Sequence, residues 1–461
     1  MYAHKVALKK LKSLGLVLME GKLLRRLAVN VKIFWVWLDR KIGNITRFCV
    51  MPFYKVKNNS IPFLPLQHGV ACNPKYISDE LIRRKLPIDI YWSVNRAQYA
   101  KMKVDHIYSK LAPDGIIDEE DPDYNALQEY VKEHVHFVRP NSLAYFQAAG
   151  SAKVLVTNEL LGDKFYPFPI KKSQITTETW HGSLGIKRFD LSHYKTNLSW
   201  PEAAKRTGRL TSYCFSNSTF EENVFRETFW EKTPMLRLGH ARNDIFFDNY
   251  ENMRKFLRNE FIVKHPSLTR VEEGQEEAPE YQFALYAPTF RDSHNFNVFK
   301  LDPEMVLEAL RDRFGGHWKL LVRYHNNDKK TGAAKKNTIK SPDVINVTSY
   351  PDMQELLSFT DVAITDYSSW IFDFVLTGKP GFIFAMDIDE YYNERGFYFG
   401  FEDTPFTVAK DSETLAENIR NFDAESYPAK VKAFLDDKEC VDDGHASERI
   451  ADQIEEWMGL H

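Results

Sequence analysis

Residues 362–380 read VAITDYSSWIFDFVLTGKP. Val362–Ile364 is a short apolar run of strand type. It runs straight into Thr365-Asp366-Tyr367-Ser368-Ser369, and an amphipathic stretch follows. Gly378-Lys379-Pro380 then closes the segment as a turn. The parse is one βα unit with a polar loop at the carboxyl end of its strand. Hydroxyl and acidic groups at a helix start cap free N–H groups and leave others aimed at an anion. One Ser or Asp is enough for a cap. The whole cluster exceeds that and points to phosphate. The G-x-x-x-x-G-K-[ST] spacing of a P-loop is missing.

The same pattern extends outward from this unit. Around it stand PMLRLGH, FALYAPT, WKLLVRYH, VINVTS and PGFIFAM, all apolar runs ending in polar groups. An earlier series begins near residue 60 with PFLPLQH, IDIYWSV, HVHFVRP and KVLVTNEL, interleaved with helical stretches such as ISDELIRRKL. Runs rich in Val, Ile, Leu and Phe suit parallel strands buried on both faces. Two such series predict an α/β chain with two Rossmann-like halves facing across a cleft. The expected division is a basic helical segment over 1–55, an N-terminal half over 56–234 and a C-terminal half over 235–461. DGHASERIADQIEEWM is the expected closing helix.

The 461 residues are 43% hydrophobic and 27% charged, which fits a globular protein and excludes a disordered chain. The four cysteines are scattered without a C-x-x-C, which argues against a disulfide framework or a Cys-based zinc site and suits a reducing cytoplasm. The net charge of −3 hides an asymmetry. Residues 1–50 hold eleven Lys/Arg against Glu20 and Asp39, a net +9, so the rest of the chain carries −12. Leu, Val, Phe and Trp recur at helical spacing through this head, with Trp35 and Trp37 as interfacial anchors. An anionic membrane surface is the expected partner of the head, and a helix packed on the body is the alternative. No transmembrane run or cleaved signal is read, so the chain is expected in the cytoplasm, peripheral at the inner face of the membrane. An acidic body disfavours nucleic acid.

The sharpest chemistry lies in ITTETWHGSLGIKRFD, residues 175–190. His181 follows a strand-like run and precedes Gly182, a place suited to a general base, with a structural histidine satisfied by backbone as the plain alternative. In LLVRYHNND, Arg323 and His325 are two apart and share a strand face, so both can aim at one phosphate. LRLGHARND offers Arg242 and Asn243, and LYAPTFRD offers Thr289 and Arg291, arginine forks being suited to phosphate. A surface Arg–Asp pair is the plain alternative there. Asp387 follows another strand, where an acid can accept from a ribose hydroxyl, although by itself the segment reads more plainly as a solvated acidic turn. No histidine–carboxylate cluster at metal-ligand spacing is read, so no tightly bound metal is expected, with room left for Mg²⁺ on donor phosphates.

Taken together these pieces resemble the CDP-glycerol glycerophosphotransferase family of teichoic acid and capsule polymerases and primases. The resemblance rests on Trp180-His181-Gly182, Gly239 with Arg242-Asn243-Asp244, Ala287-Pro288-Thr289-Phe290-Arg291, and Arg323 with His325. It continues through Thr365-Asp366-Tyr367-Ser368-Ser369 with Asp373, Lys379-Pro380, Asp387, Tyr391-Tyr392, Arg395-Gly396 and Asp443-Gly444, in order over roughly residues 60–455. It implies a GT-B fold with the CDP portion held by the C-terminal half. It implies His181 as general base and His325 as a second essential histidine near the donor phosphates. Thr365, Ser368 and Ser369 would hold the pyrophosphate, Arg242 and Arg291 would lie near the donor, and Asp387 near the ribose. Asn243, Thr289, Arg323 and Asp366 complete the expected donor site. Ser183, Ala241 and Asn326 stand where the family usually has threonine, proline and proline.

The expected reaction is transfer of a polyol phosphate, glycerol phosphate first, from a CDP-polyol to a hydroxyl of a polyol-phosphate or lipid-linked glycan acceptor, releasing CMP. Two other readings stay open. One is a GT-B glycosyltransferase using a UDP-sugar, since fold does not fix the donor. The other is a catalytically silent assembly factor at the membrane.

Overall fold

The computed structural model describes residues 42–43, 45–65, 69–95, 120–158, 169–188, 205, 208–271, 276–289, 301–324, 339 and 341–460. Most of the basic head, His325 and Arg291 lie outside the described residues.

Among the described residues the first sheet has seven parallel strands. They are β1 (Ser60–Leu64), β2 (Asp89–Ser93), β3 (Val135–Val138), β4 (Val154–Thr157), β5 (Ile175–Glu178), β6 (Tyr213–Ser216) and β7 (Met235–Arg237). Their order is β3-β2-β1-β4-β5-β6-β7. Helices α1 (Cys72–Arg83), α2 (Pro122–His134), α3 (Leu143–Ser151) and α4 (Thr219–Thr228) accompany it. A 3₁₀ segment, Ala241–Phe246, and α5 (Glu251–Val263) lead to the second half.

The second sheet is again parallel, with β8 (Tyr281–Tyr286), β9 (His317–Val322), β10 (Val344–Asn346), β11 (Val362–Thr365), β12 (Gly381–Phe384) and β13 (Thr407–Ala409). Its order is β10-β9-β8-β11-β12-β13. Its helices are α6 (Pro303–Phe314), α7 (Met353–Ser358), α8 (Trp370–Phe374), α9 (Ile388–Arg395), α10 (Ser412–Arg420), α11 (Tyr427–Lys438) and α12 (Ala446–Met458). Every residue of β1, β4, β11 and β12 is buried, as the uninterrupted apolar runs require. Both sheets reverse direction of growth beside their first strand, which opens a crevice at the carboxyl ends of the strands.

The expected boundary at 234/235 is corrected on both sides. Met235–Arg237 pairs with β6 and forms the edge of the first sheet. The tail also returns to the first half. Trp457 stacks on Tyr213 at 4.8 Å between ring centroids, and Arg84, just after α1, reaches Glu455 at 2.5 Å. The cause is the apolar face of α12. Ile450, Ala451, Ile454 and Met458 are all buried, and each large apolar side chain so covered contributes about 1.5–3 kcal/mol as an upper estimate. Gly239 makes room for this return. Its φ is +89°, and a Cβ there would meet the Ala446 Cβ and Asp442 Oδ1 at 2.9 Å.

Candidate active site

His181 stands on the loop that leaves β5, and the loop is built against resistance. Trp180 has φ +51°, a left-handed conformation rare for a tryptophan. Two features hold it there. The Glu178 carboxylate accepts the Trp180 N–H at 2.8 Å, and the indole packs edge-on to Trp230 with centroids 5.3 Å apart. The His181 ring then lies 4.2 Å from the Trp180 ring.

His181 Nδ1 is 2.7 Å from the carbonyl oxygen of Asn158, at the end of β4. A carbonyl only accepts, so Nδ1 carries the hydrogen and the neutral ring has its lone pair on Nε2. The residue as a whole is exposed. Protein packed round the ring and the charge of Arg242 push its pKa down to about 4, against the favourable bond to Asn158. The ring is therefore neutral near neutral pH.

The second half meets this loop at Ser369. A Cβ built on Gly185 would lie 3.0 Å from the Ser369 Cβ, and one on Gly182 would lie 3.7 Å from the Ser369 Oγ. Gly185 is therefore the residue that admits the close approach. The contact is extended by a β-bridge across the cleft, where the Tyr398 N–H donates to the Ile186 carbonyl at 2.8 Å. Ser368 and Ser369 are half-buried here, and the Ser369 hydroxyl caps nothing on α8. The sequence places a histidine and a pair of serines 187 positions apart, and the fold brings their loops together.

Arg323 directly follows β9 at the same edge. Its Nη1 is buried without a hydrogen-bond partner. Burial lowers its pKa, opposed by Asp352 and Tyr350. A guanidinium held this way is poorly compensated, which suits an incoming anion.

Four of the expected donor ligands instead turn inward. Arg242 is 1% exposed, and its Nη2 donates to Asp373 Oδ1 at 3.0 Å. Asn243 is fully buried and donates to Asp442 Oδ2 at 2.9 Å. Thr365 Oγ1 donates to the Ala287 carbonyl at 2.7 Å. Asp366 accepts the Thr289 N–H at 2.9 Å and the Tyr367 N–H at 2.6 Å. These groups shape the cleft wall rather than face it, because each is buried on a protein partner. Thr289 is half-buried beside Asp366, and Asp387 accepts the Tyr367 hydroxyl at 2.9 Å.

Behind the wall lie residues that the motif reading passed over. Asn73, the second residue of α1, donates from Nδ2 to the Thr179 carbonyl at 2.8 Å. His240 is sandwiched between Asn73 and Glu221. Asp442 accepts from Asn217, Asn243 and the His240 N–H at 2.7–2.9 Å. Asn217 also donates to Ser183 Oγ at 3.0 Å. The available signals were slight: a polar residue before Pro74 at a helix start, and a histidine inside LGHARND. Among the described residues, no group of three or more His, Cys, Asp or Glu is arranged to hold a metal ion.

Two doubly wound parallel sheets, a shared cleft and a closing helix that crosses back define a GT-B-like architecture. Solved structures of the wall teichoic acid polymerase TagF share it. One has a TM-score of 0.68 at 24% identity, covering 95% of this chain and 98% of the other. A TagF variant soaked with CDPG gives 0.67 over the same shares. Residues 46–456 match the model of the CDP-Glycerol:Poly(glycerophosphate) glycerophosphotransferase family, and the chain belongs to that family. The teichoic acid poly(glycerol phosphate) polymerase of Staphylococcus epidermidis is 30% identical over 334 residues, 69% of this chain and 43% of its own. That of Bacillus subtilis is 25% identical over 402 residues, 83% of this chain and 47% of its own. A teichoic acid ribitol-phosphate primase of Bacillus spizizenii is 26% identical over 307 residues, 65% of this chain and 75% of its own. This chain thus spans about half the length of the two polymerases.

Proposed function

We propose that this protein transfers a polyol phosphate, glycerol phosphate first, from a CDP-polyol to a hydroxyl of a teichoic acid acceptor. The observation that carries the reading is His181, its Nδ1 tied to Asn158 and its Nε2 free to accept, beside the Ser368–Ser369 turn. In the step, the acceptor oxygen bonds to the β-phosphorus, and the bond from that phosphorus to the bridging oxygen breaks. The acceptor proton goes to His181 Nε2, and CMP leaves with the electron pair. Arg323 and the serine turn compensate charge on the phosphoryl oxygens, and His325 and Arg291 join them in this proposal. Such chemistry needs mostly positioning and electrostatics. Family membership and the relatives' names support the donor and acceptor classes. CDPG in a TagF of the same fold supports a CDP donor.

The test is CMP release from CDP-glycerol and CDP-ribitol, with and without a short polyol-phosphate acceptor. Acceptor-dependent CMP from one donor names the polyol. Turnover of UDP-sugars alone overturns the reading, and no turnover of either points to a silent assembly factor. In this proposal any Mg²⁺ travels on the donor phosphates, so the assay is repeated after exhaustive chelation; total loss places the ion in the reaction.

Arg323→Gln is expected to raise the donor KM by about tenfold to hundredfold, the worth of a charge-assisted hydrogen bond. The acceptor KM stays within error. An unchanged donor KM removes Arg323 from the donor site.

The reading also puts the enzyme at the inner face of a membrane. Among the described residues no helix is long and apolar enough to cross one. The end of the basic head supports surface attachment instead. Ile45 is 62% exposed, Phe48 42% and Phe53 84%, and Leu143 stands exposed at the start of α3. Exposed apolar groups next to a +9 segment suit an anionic interface. A triple serine variant of Ile45, Phe48 and Phe53 is expected to sediment with anionic vesicles far less than the wild type. Equal sedimentation removes this patch from the membrane contact.

A further inference from the structure

We propose that Asn73 is a positioning residue for the transfer, acting through His181. The inference rests on the reading of His181 as the base. Asn73 is 1% exposed, and its orientation follows from its neighbours. Its Oδ1 lies 3.1 Å from the backbone N–H of Arg242, which only donates. Its Nδ2 lies 2.8 Å from the Thr179 carbonyl and 3.4 Å from the Trp180 carbonyl, which only accept. The amide is therefore set with its oxygen toward Arg242 and its nitrogen toward the base loop.

The third neighbour of Nδ2 is His240 Nδ1, at 3.1 Å. Because Nδ2 donates, His240 Nδ1 must accept. The hydrogen of His240 then sits on Nε2, which donates to the Glu221 carboxylate at 2.9–3.0 Å. Glu221 itself is 2% exposed and placed by α4, whose first turn Ser218 caps. A buried chain thus runs from Glu221 through His240 to Asn73, and ends on the two carbonyls immediately before His181.

Asn73 has a second arm. Through the Arg242 backbone it joins the residue whose guanidinium holds Asp373 on α8. Ser368 and Ser369 lead into that helix. One buried amide therefore grips the loop of the base and the residue that anchors the serine turn. A strained Trp180 needs such outside support to keep its conformation. The hub fixes the base against the phosphate turn, which is what an in-line transfer requires.

The experiment is a cycle read as CMP release by the full-length protein. Asn73→Asp keeps the shape and the Oδ1 acceptor but removes the donor to Thr179. It is expected to lower kcat about tenfold to hundredfold, with the donor KM unchanged within about twofold. In a His181→Ala background the same change is expected to cost less than about twofold, because the group it positions is gone. His240→Gln keeps a donor toward Glu221 but removes the acceptor for Asn73, and carries the test if Asn73→Asp melts out. His240→Asn keeps an acceptor at the Nδ1 position and is expected to recover most of kcat. An equal loss from Asn73→Asp in both backgrounds, or no loss in either, overturns the proposal while leaving the base in place. A His181→Ala protein with wild-type turnover overturns the base and this proposal with it.

Discussion

If His181 is the general base, alanine in its place is expected to lower kcat by at least about 10²–10⁴-fold, the contribution of such a positioned group. The fold stays intact, because the side chain is exposed and the nearby core, from Trp180 to Trp230, is untouched. The change removes a proton acceptor while Ser369 and Arg323 remain, so donor KM moves little. The pH profile separates this from a general loss of order. A base works in its neutral form, and the protein packed round the ring together with the Arg242 charge holds the His181 pKa below that of an ordinary histidine in the free protein. The acid limb of kcat/KM is therefore expected well below the 6.5 of an ordinary histidine. Bound donor phosphates favour the protonated ring, so the limb in kcat lies higher than that in kcat/KM. An acid limb near 6.5 in kcat/KM, or near-normal turnover of the alanine variant, ends the assignment.

The two-sheet plan was legible because parallel strands write themselves as apolar runs. VAIT at 362–365 and GFIF at 381–384 are buried throughout, as their composition requires. His181 and the Ser368–Ser369 turn were legible because polar groups at strand ends stand out from such runs. The division of the chain was not legible at residue 235. A three-residue edge strand with two half-buried side chains and one exposed looks like any other short run. The hub was invisible for a different reason. Asn73, Thr179, His240 and Arg242 meet across 106 to 169 positions, and a hydrogen bond at that separation leaves no periodicity. Arg242 shows how residue type misleads. In LRLGHARND it reads as a phosphate fork or a surface partner of Asp244. In the fold its partner is Asp373, and Asp244 is engaged with Ala446 and Ser447 at the start of α12.

That buried pair sets the second large effect. Arg242→Ala is expected to destabilise the protein by about 3–5 kcal/mol, because it strips a buried carboxylate of its counter-charge. Among the described residues, Asp373 would keep the Gln354 amide at 3.0 Å and the Asn243 amide at 3.4 Å. Neither carries charge. A donor-binding arginine at the cleft surface would behave oppositely, with a raised donor KM and an unchanged midpoint of unfolding. Denaturant titration of Arg242→Ala distinguishes the two. The second substitution Asp373→Asn gives the sharper result. If the cost comes from an uncompensated charge, removing that charge recovers much of it, and the double variant is more stable than Arg242→Ala alone. If the cost comes only from lost packing, the second substitution adds to the first. Recovery of stability without recovery of turnover is the outcome expected. The neutral pair restores a tolerable interior, but the Arg242–Asp373 tie to α8 is still cut, and the serine turn is no longer held against the loop of His181.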